Sequence, residues 1–232
     1  MSYGLLVQNQ DNRIQIDENY SNFYYLSNGE QSATPGATKP TLSQSSDLLF
    51  ARAKSSGHIC IRVGTYWWDA DKFPHPTSGI GYFIAREVSG NISPAGSGYG
   101  IEVHSPTSTA ANPDLYFSSG SYERGINIVA AGTFTGTSGS GGPYEVALPS
   151  ATSTYPDLTK LYCMMNNTFG LDIYFNTGFG DPIDGEIVVG YRYEFVSGNS
   201  GRIHVCLKEK QYSFTPAVVS GQMNYLIVEA VE

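Results

Sequence analysis

The chain opens with YGLLV at residues 3–7, and the close variant YGIEV stands at residues 99–103. A polar connection follows each copy and leads to a second short apolar run, IQID at residues 14–17 and LYFS at residues 115–118. Internal similarity of this kind is informative before any single motif, because it reveals modular architecture. We therefore predict two similar hairpins, each made of two short strands. A weaker echo at residues 169–174 lacks a clear partner strand.

Composition favours a β-protein with an uncharged polar surface. Of the 232 residues, 41% are hydrophobic and only 15% are charged, while Gly (26) and Tyr (17) are abundant. Ordinary soluble domains carry about 25% charged residues. This deficit is typical of extracellular and virion β-proteins, and it argues against a cytosolic helical enzyme.

The charge balance argues against nucleic acid and membranes as partners. The formal net charge is −8, and the densest basic group is Lys208-Glu209-Lys210. Binding to nucleic acid or to an anionic membrane needs clustered Lys and Arg. No run approaches the ~18 apolar residues of a membrane-spanning helix. We expect neither nucleic-acid binding nor membrane insertion.

The start of the chain and the cysteines predict synthesis in a reducing cytoplasm. Met1-Ser2-Tyr3-Gly4 has neither the basic start nor the apolar stretch of a secretory signal. The three cysteines are scattered, and each stands in an apolar run. We expect them to be small core residues, because a buried free cysteine behaves as a hydrophobe. They are Cys60, Cys163 and Cys206.

Short apolar runs bounded by Gly, Pro, Asn and Ser predict an all-β chain. The run at residues 187–191 (IVVGY) does not alternate, which predicts burial on both faces. Residues 132–143 are read as a Gly/Ser-rich loop and residues 27–29 as a turn. With a boundary in residues 90–98, we predict two tandem antiparallel β-sandwich-like domains with long Gly/Ser-rich loops. They are an N-terminal β domain, 1–93, and a C-terminal β domain, 97–232.

The search for catalytic chemistry finds little. There is no Gly-x-Ser-x-Gly elbow, no phosphate-binding loop and no Cys/His metal spacing. The four histidines lie far apart, and three of them stand in or beside predicted strands, at His58, His104 and His204. Acidic turns at residues 69–71 and 181–186 do not match a calcium-binding loop and read as solvated turns. We expect no enzyme activity, no cofactor and no metal.

Clustered aromatics give the best candidate contact site. Adjacent Trp residues in a strand point to opposite faces, so one can fill a core while the other meets a ligand or a partner. Exposed aromatics beside polar groups stack on sugars or anchor protein interfaces. The alternative is that both rings pack in the core or in a subunit interface. The candidate receptor or partner contacts are Tyr66, Trp67, Trp68, Asp69, Phe73 and His75.

The repeated module resembles part of the small virion proteins of tailed bacteriophages. In that group an N-terminal Tyr-Gly-Leu-x-Val-x-Asn phrase leads through a turn into an alternating strand. Here the phrase is YGLLVQN at residues 3–9, followed by RIQID at residues 13–17. The match covers about forty residues in all, across both copies. This chain departs from the pattern in the long connection 105–113 and in lacking Gly in the first turn. The resemblance implies a tail-tip or tail-fibre component.

From these observations we expect a structural component of a phage tail tip or fibre that takes part in host attachment. Its partners would be copies of itself, with a trimer favoured, other tail proteins, and a host-surface glycan or protein. It would be made in the bacterial cytoplasm and reside in the virion tail. The alternatives are a stand-alone carbohydrate-binding β-sandwich module, expected to be a monomer, and a polysaccharide depolymerase, which would release reducing ends.

Overall fold

A computed structural model gives the fold of most of the chain. It describes residues 6–8, 14–17, 23–32, 37–62, 66–67, 76–87, 102–104, 115–118, 126–138, 144–147, 157–176, 182–197, 200–211 and 219–230. Within these ranges there is no α-helix, and the only helical element is a 3-10 turn at Leu158–Lys160. The predicted all-β class is therefore confirmed.

Seventeen strands account for the regular structure of the described ranges. They are β1 (Leu6–Gln8), β2 (Ile14–Asp17), β3 (Phe23–Gln31), β4 (Leu48–Ala53), β5 (Gly57–Ile59), β6 (Ile61–Arg62), β7 (Tyr66–Trp67), β8 (Ile80–Glu87), β9 (Glu102–His104), β10 (Leu115–Ser118), β11 (Ile126–Ser138), β12 (Tyr144–Ala147), β13 (Leu161–Met164), β14 (Phe169–Asn176), β15 (Pro182–Ser197), β16 (Ser200–Gln211) and β17 (Val219–Ala230).

Most strands belong to two large sheets. A six-stranded sheet has the order β11-β17-β13-β4-β8-β3 and is antiparallel throughout. A seven-stranded sheet has the order β12-β16-β15-β14-β6-β7, and β5 pairs with β15. In that sheet only the contact between β14 and β6 is parallel.

The two large sheets share a core, which is the arrangement of a β-sandwich. Alternation along β17 shows how the sequence sets the buried face: Met223, Tyr225 and Ile227 are buried, while Gln222 and Asn224 are exposed. Such period-two burial directs one face of a strand to the core. The buried cluster combines side chains of the six-stranded sheet with inward residues of the seven-stranded sheet. The latter include Val189, Tyr191, Tyr193, Ile203, Val205 and Leu207.

The six-stranded sheet also carries an aromatic layer on its other face. The rings of Phe50 and Phe83 stack at 4.7 Å between centroids, and Tyr162 meets Phe83 edge-on at 4.9 Å. Both geometries suit the quadrupoles of aromatic rings. Phe50 and Phe83 are almost completely buried, so both faces of this part of the sheet are shielded from solvent.

In β15 of the seven-stranded sheet, Ile187, Val188 and Val189 are all buried. This confirms the prediction that the run is buried on both faces of the strand.

The described strands do not divide into two tandem sandwiches. Strand β4 pairs with β13 through Ala51 and Cys163, and β5 pairs with β15 through Ile59 and Tyr191. Each large sheet therefore combines strands from before and after the predicted boundary. The ranges 1–93 and 97–232 do not separate the sheets, because the hydrogen-bonding partners of the early strands lie in the second half of the chain.

Two Gly-containing segments predicted to be a loop and a turn are strands where the structure describes them, and residues 139–143 of the predicted loop lie outside the described residues. Residues 132–138 continue β11, and residues 27–29 lie inside β3. Gly132 is the register partner of Tyr225, and a Cβ on Gly132 would lie 2.6 Å from the Tyr225 hydroxyl oxygen. A tyrosine therefore occupies the space that a side chain would take, and it covers the glycine backbone in the sheet. The same relationship joins Gly29 to Tyr82.

The described parts of the two copies of the repeated phrase lie in the predicted hairpins. Strands β1 and β2 pair antiparallel, with Val7 opposite Ile16. Strands β9 and β10 also pair antiparallel, with Phe117 opposite Val103. Each pair is a two-stranded sheet of its own. The weaker echo at 169–174 lies in β14, which finds its partner in β15.

Candidate functional site

The structure describes two of the six predicted contact residues. Tyr66 and Trp67 form β7, the last strand in the described order of the seven-stranded sheet. Their backbone partners in β6 are Arg62 and Ile61 respectively. Trp68, Asp69, Phe73 and His75 lie outside the described residues, so the grouping of all six stays a prediction.

A cavity of about 210 Å³ opens next to the β6 partner of Trp67. Its apolar wall comprises Leu42, Leu49, Ile61, Met165 and Phe169. Leu49 belongs to the six-stranded sheet and Ile61 to the seven-stranded sheet, so the cavity lies where the chain passes from one sheet to the other. Three polar residues complete the lining: Lys39, Asn166 and Thr168.

The turn between β13 and β14 fixes the polar part of this cavity wall. The Asn166 side chain accepts a hydrogen bond from the Leu49 amide at 2.7 Å and donates one to the Asp47 carbonyl oxygen at 3.0 Å. The Thr168 hydroxyl donates to the Met165 carbonyl oxygen at 2.9 Å. These bonds hold both side chains in place and engage the Asn166 oxygen, one Asn166 N–H group and the Thr168 hydroxyl proton.

A buried ion pair anchors the segment that precedes β4. The Asp47 carboxylate is fully buried, and it accepts hydrogen bonds from Arg86 Nε at 2.7 Å and from Arg86 Nη2 at 2.9 Å. The backbone amides of Ser43 and Gln44 donate to the same carboxylate at 3.1 and 3.0 Å. The Arg86 guanidinium, above all, lowers the pKa of Asp47 to about 2, against the opposing effect of burial. This pair ties residues 43–47, which follow the cavity residue Leu42, to strand β8.

A second charged cluster crosses the seven-stranded sheet. Arg192 on β15 bridges two carboxylates, Glu145 on β12 at 2.9 Å and Glu194 on its own strand at 3.0 Å. His204 Nε2 on β16 lies 3.3 Å from Glu194, and His204 Nδ1 lies 3.9 Å from Glu145. The hydrogen bond from Arg192 is the main cause of the lowered pKa of Glu194. Arg192 therefore forms ion pairs with both carboxylates, and His204 lies beside the same two groups, which makes the cluster a polar network across strands β12, β15 and β16.

The cysteines and histidines occupy the places expected of structural residues. Cys60, Cys163 and Cys206 are buried and outside any disulfide, which confirms the predicted core role. Burial raises the pKa of the Cys206 thiol to about 12 and that of Cys163 further. His58, His104 and His204 lie in β5, β9 and β16 as predicted. The described side chains contain no group of three or more His, Cys, Asp or Glu placed to hold a metal ion.

Sequence reasoning missed the cavity and both ion-pair clusters. Asp47 and Arg86 are 39 positions apart, and Glu145 and Arg192 are 47 apart. No local pattern links such residues, since only strand pairing brings them together. One signal was present: a charged residue inside an otherwise apolar strand, such as Arg86 in β8, predicts a buried partner.

Comparison of the chain with family models, with curated proteins and with solved structures found no match. In the part of the chain that the structure describes, no helix has the length and apolar character needed to cross a membrane.

Proposed function

We propose that the protein is a structural component of a bacteriophage tail tip or tail fibre that takes part in host attachment. The observation that carries the proposal is the repeated Tyr-Gly-Leu/Ile phrase, whose two copies lead into two antiparallel hairpins, β1–β2 and β9–β10. The phrase is the part of the chain that resembles tailed-phage virion proteins. The low charge content and the sandwich-like pair of sheets support the same assignment.

The proposed contact region begins at β7. Trp67 is paired with Ile61, and the Ile61 side chain lines the cavity between the sheets. The aromatic segment therefore starts in β7, the last strand in the described order of the seven-stranded sheet, and beside the cavity that Ile61 lines. Concave sites with aromatic residues nearby are where ligands and partners commonly bind. The other proposed contacts follow in the chain: Trp68, Asp69, Phe73 and His75.

The proposed mechanism is multivalent attachment by a symmetric oligomer. Closed symmetry repeats each contact surface, and several weak contacts together give an avidity far above that of one. We expect a trimer in solution, with other tail proteins as neighbours and a host-surface glycan or protein as receptor. Sedimentation equilibrium of the purified protein tests this directly. A monomer at all concentrations would contradict the oligomeric part of the proposal.

The attachment role is tested in a phage or prophage that carries this gene. The double variant Trp67→Ala/Trp68→Ala should assemble into particles that no longer adsorb to the host. Val196→Ala is a matched control, because Val196 is 62% exposed and lies on β15 rather than on β7. Normal adsorption by the double variant would remove this contact site, and absence of the protein from purified particles would remove the structural role.

A polar cleft on the protein supports a second candidate function, that of a carbohydrate-binding module. The cleft has a volume of about 350 Å³ and is lined by Glu30, Gln31, Ser32, Lys54, Thr77 and Ser78. Lys54 Nζ lies 2.6 Å from the Glu30 carboxylate, so the cleft offers an ion pair together with hydroxyl and amide groups. Such groups can hydrogen-bond sugar hydroxyls. Binding of a defined glycan by a monomer would favour this candidate over the tail protein.

A further inference from the structure

We propose that the cavity between the sheets is a binding site for a small carboxylate with an apolar body, of the size of benzoate. The cavity lies next to the start of the proposed attachment segment, because Ile61 lines it and pairs with Trp67. Binding of such a carboxylate does not depend on a role in a phage tail. Three observations carry it: the volume of the cavity, the hydrogen bonds that already hold the polar side chains of its wall, and the charge of Lys39.

The volume suits a single small ring or a short acyl chain. An apolar cavity of about 150 Å³ is enough to bind benzene. The cavity here is about 210 Å³, which leaves room for a carboxylate on such a ring. Leu49, Ile61 and Met165 are nearly or completely buried and belong to the shared core, so the floor of the cavity is preformed and apolar.

The polar groups of the wall favour an apolar ligand body over a sugar. The Asn166 amide and the Thr168 hydroxyl already hydrogen-bond the backbone, at Leu49, Asp47 and Met165. Polyhydroxylated ligands need many convergent hydrogen-bonding groups, and these two are largely engaged. An apolar ligand body can lie against these two side chains without breaking the hydrogen bonds that they already form.

Lys39 supplies the charge that selects an anion. Its side chain is half-buried and lines the cavity. The ion pairs formed among the described residues use Lys54, Arg86, Arg192 and His204, and none of them uses Lys39. A lysine among the lining residues of a partly apolar cavity favours a carboxylate ligand, because a charge-assisted hydrogen bond is stronger than a neutral one.

The test uses three probes of equal size and different charge: benzoate, benzyl alcohol and benzylamine. Titration of the purified protein is followed by the NMR signals of the methyl groups of Ile61 and Met165, two residues that line the cavity. We expect benzoate to shift both signals and to bind about tenfold more tightly than benzyl alcohol, the ratio that one charge-assisted hydrogen bond provides. Equal affinity for the three probes, or unshifted methyl signals, would overturn the proposal.

Two lysine variants complete the experiment. Lys39→Gln keeps most of the side-chain length and should reduce the preference for benzoate over benzyl alcohol from about tenfold to near unity. Lys160→Gln is the matched control, because Lys160 is exposed on the 3-10 turn and does not line the cavity. It should leave the preference unchanged. A Lys39→Gln protein that still prefers benzoate tenfold contradicts the assignment of Lys39.

Discussion

The Tyr193 hydroxyl donates a hydrogen bond of 3.1 Å to the Ala51 carbonyl oxygen and so joins the two large sheets through the core. The two residues are 142 positions apart in the chain, and both are almost completely buried. Cys163 Sγ lies 3.0 Å from the same hydroxyl. One phenol therefore satisfies polar atoms of β15, β4 and β13 where no solvent reaches.

Removing this hydroxyl should destabilise the protein. Tyr193→Phe leaves the ring in place but removes the donor to Ala51, and a buried group that loses its partner costs about 2 kcal/mol. Urea denaturation followed by far-ultraviolet circular dichroism measures the free energy of unfolding. Tyr225→Phe is the control, because no hydrogen bond from the Tyr225 hydroxyl is found among the described residues. Equal stability of the two variants would show that the Tyr193 bond contributes nothing.

The Asp47–Arg86 pair should be a larger source of stability. Asp47→Asn removes one charge of a pair whose carboxylate is fully buried, and breaking such a pair costs about 3 kcal/mol. Glu30→Gln provides a contrast, because Glu30 forms its ion pair with Lys54 at the surface and should leave the unfolding midpoint unchanged. If both variants unfold at the same urea concentration, the burial of Asp47 has no energetic consequence.

The same pair predicts how stability depends on acid. The folded pKa of Asp47 is about 2, below the unfolded value of 3.8. The folded state therefore favours the charged carboxylate, and its contribution is present above the unfolded pKa and is lost as the pH falls towards about 2. Unfolding free energies measured across this range should fall for the wild type and fall less steeply for Asp47→Asn. Parallel curves for the two proteins would contradict the linkage.

Local sequence patterns were enough to predict many of the strands, but they did not predict which strands pair with one another. Alternation and apolar runs were enough to predict the hairpins β1–β2 and β9–β10 and the burial of Ile187, Val188 and Val189. The shared sheets could not be predicted, because nothing near Ala51 in sequence indicates that its partner is Cys163. The glycines in residues 132–138 led to the prediction of a loop where the structure has a strand. The packing of Tyr225 against Gly132 depends on the pairing of β11 with β17, which no local pattern indicates.

The candidate site, too, could be predicted from the sequence only in part. The aromatic segment that begins at Tyr66 was visible as a local cluster, but its remaining members lie outside the described residues. The cavity was not visible, because Leu42, Ile61 and Met165 come from three separate parts of the chain. A site inside a β-sandwich depends on how the two sheets pack against each other. The local patterns of a single sequence do not indicate that packing.

Buried thiols should make the protein inert to thiol reagents and sensitive to alkali. The pKa of Cys206 is raised by burial from 9.0 to about 12. Because the folded pKa exceeds the unfolded one, the stabilising contribution is present below the unfolded value and is lost as the pH rises towards about 12. Near neutral pH a thiol-specific disulfide reagent should modify none of the three cysteines in the folded protein and all of them in concentrated urea.

Cys206→Ala separates this effect from general alkaline denaturation. The variant should lose stability less steeply than the wild type above the unfolded thiol pKa, because one of the titrating groups is gone. Rapid modification of a thiol in the folded wild-type protein would contradict the burial of all three cysteines.

Two glycines offer a final, matched comparison of strand packing. A Cβ at Gly190 would lie 2.6 Å from the Ile59 carbonyl oxygen and 2.8 Å from Cys60 Cβ, so Gly190→Ala forces β15 and the segment that includes β5 apart. At Gly132 the corresponding contact is the Tyr225 hydroxyl, the far end of a side chain that can rotate away. We expect Gly190→Ala to cost about 3 kcal/mol, in the upper range of overpacking, and Gly132→Ala about 1 kcal/mol. Urea denaturation of both variants measures the difference, and a larger loss for Gly132→Ala would mean that the Tyr225 ring is held more rigidly than the backbone of Ile59.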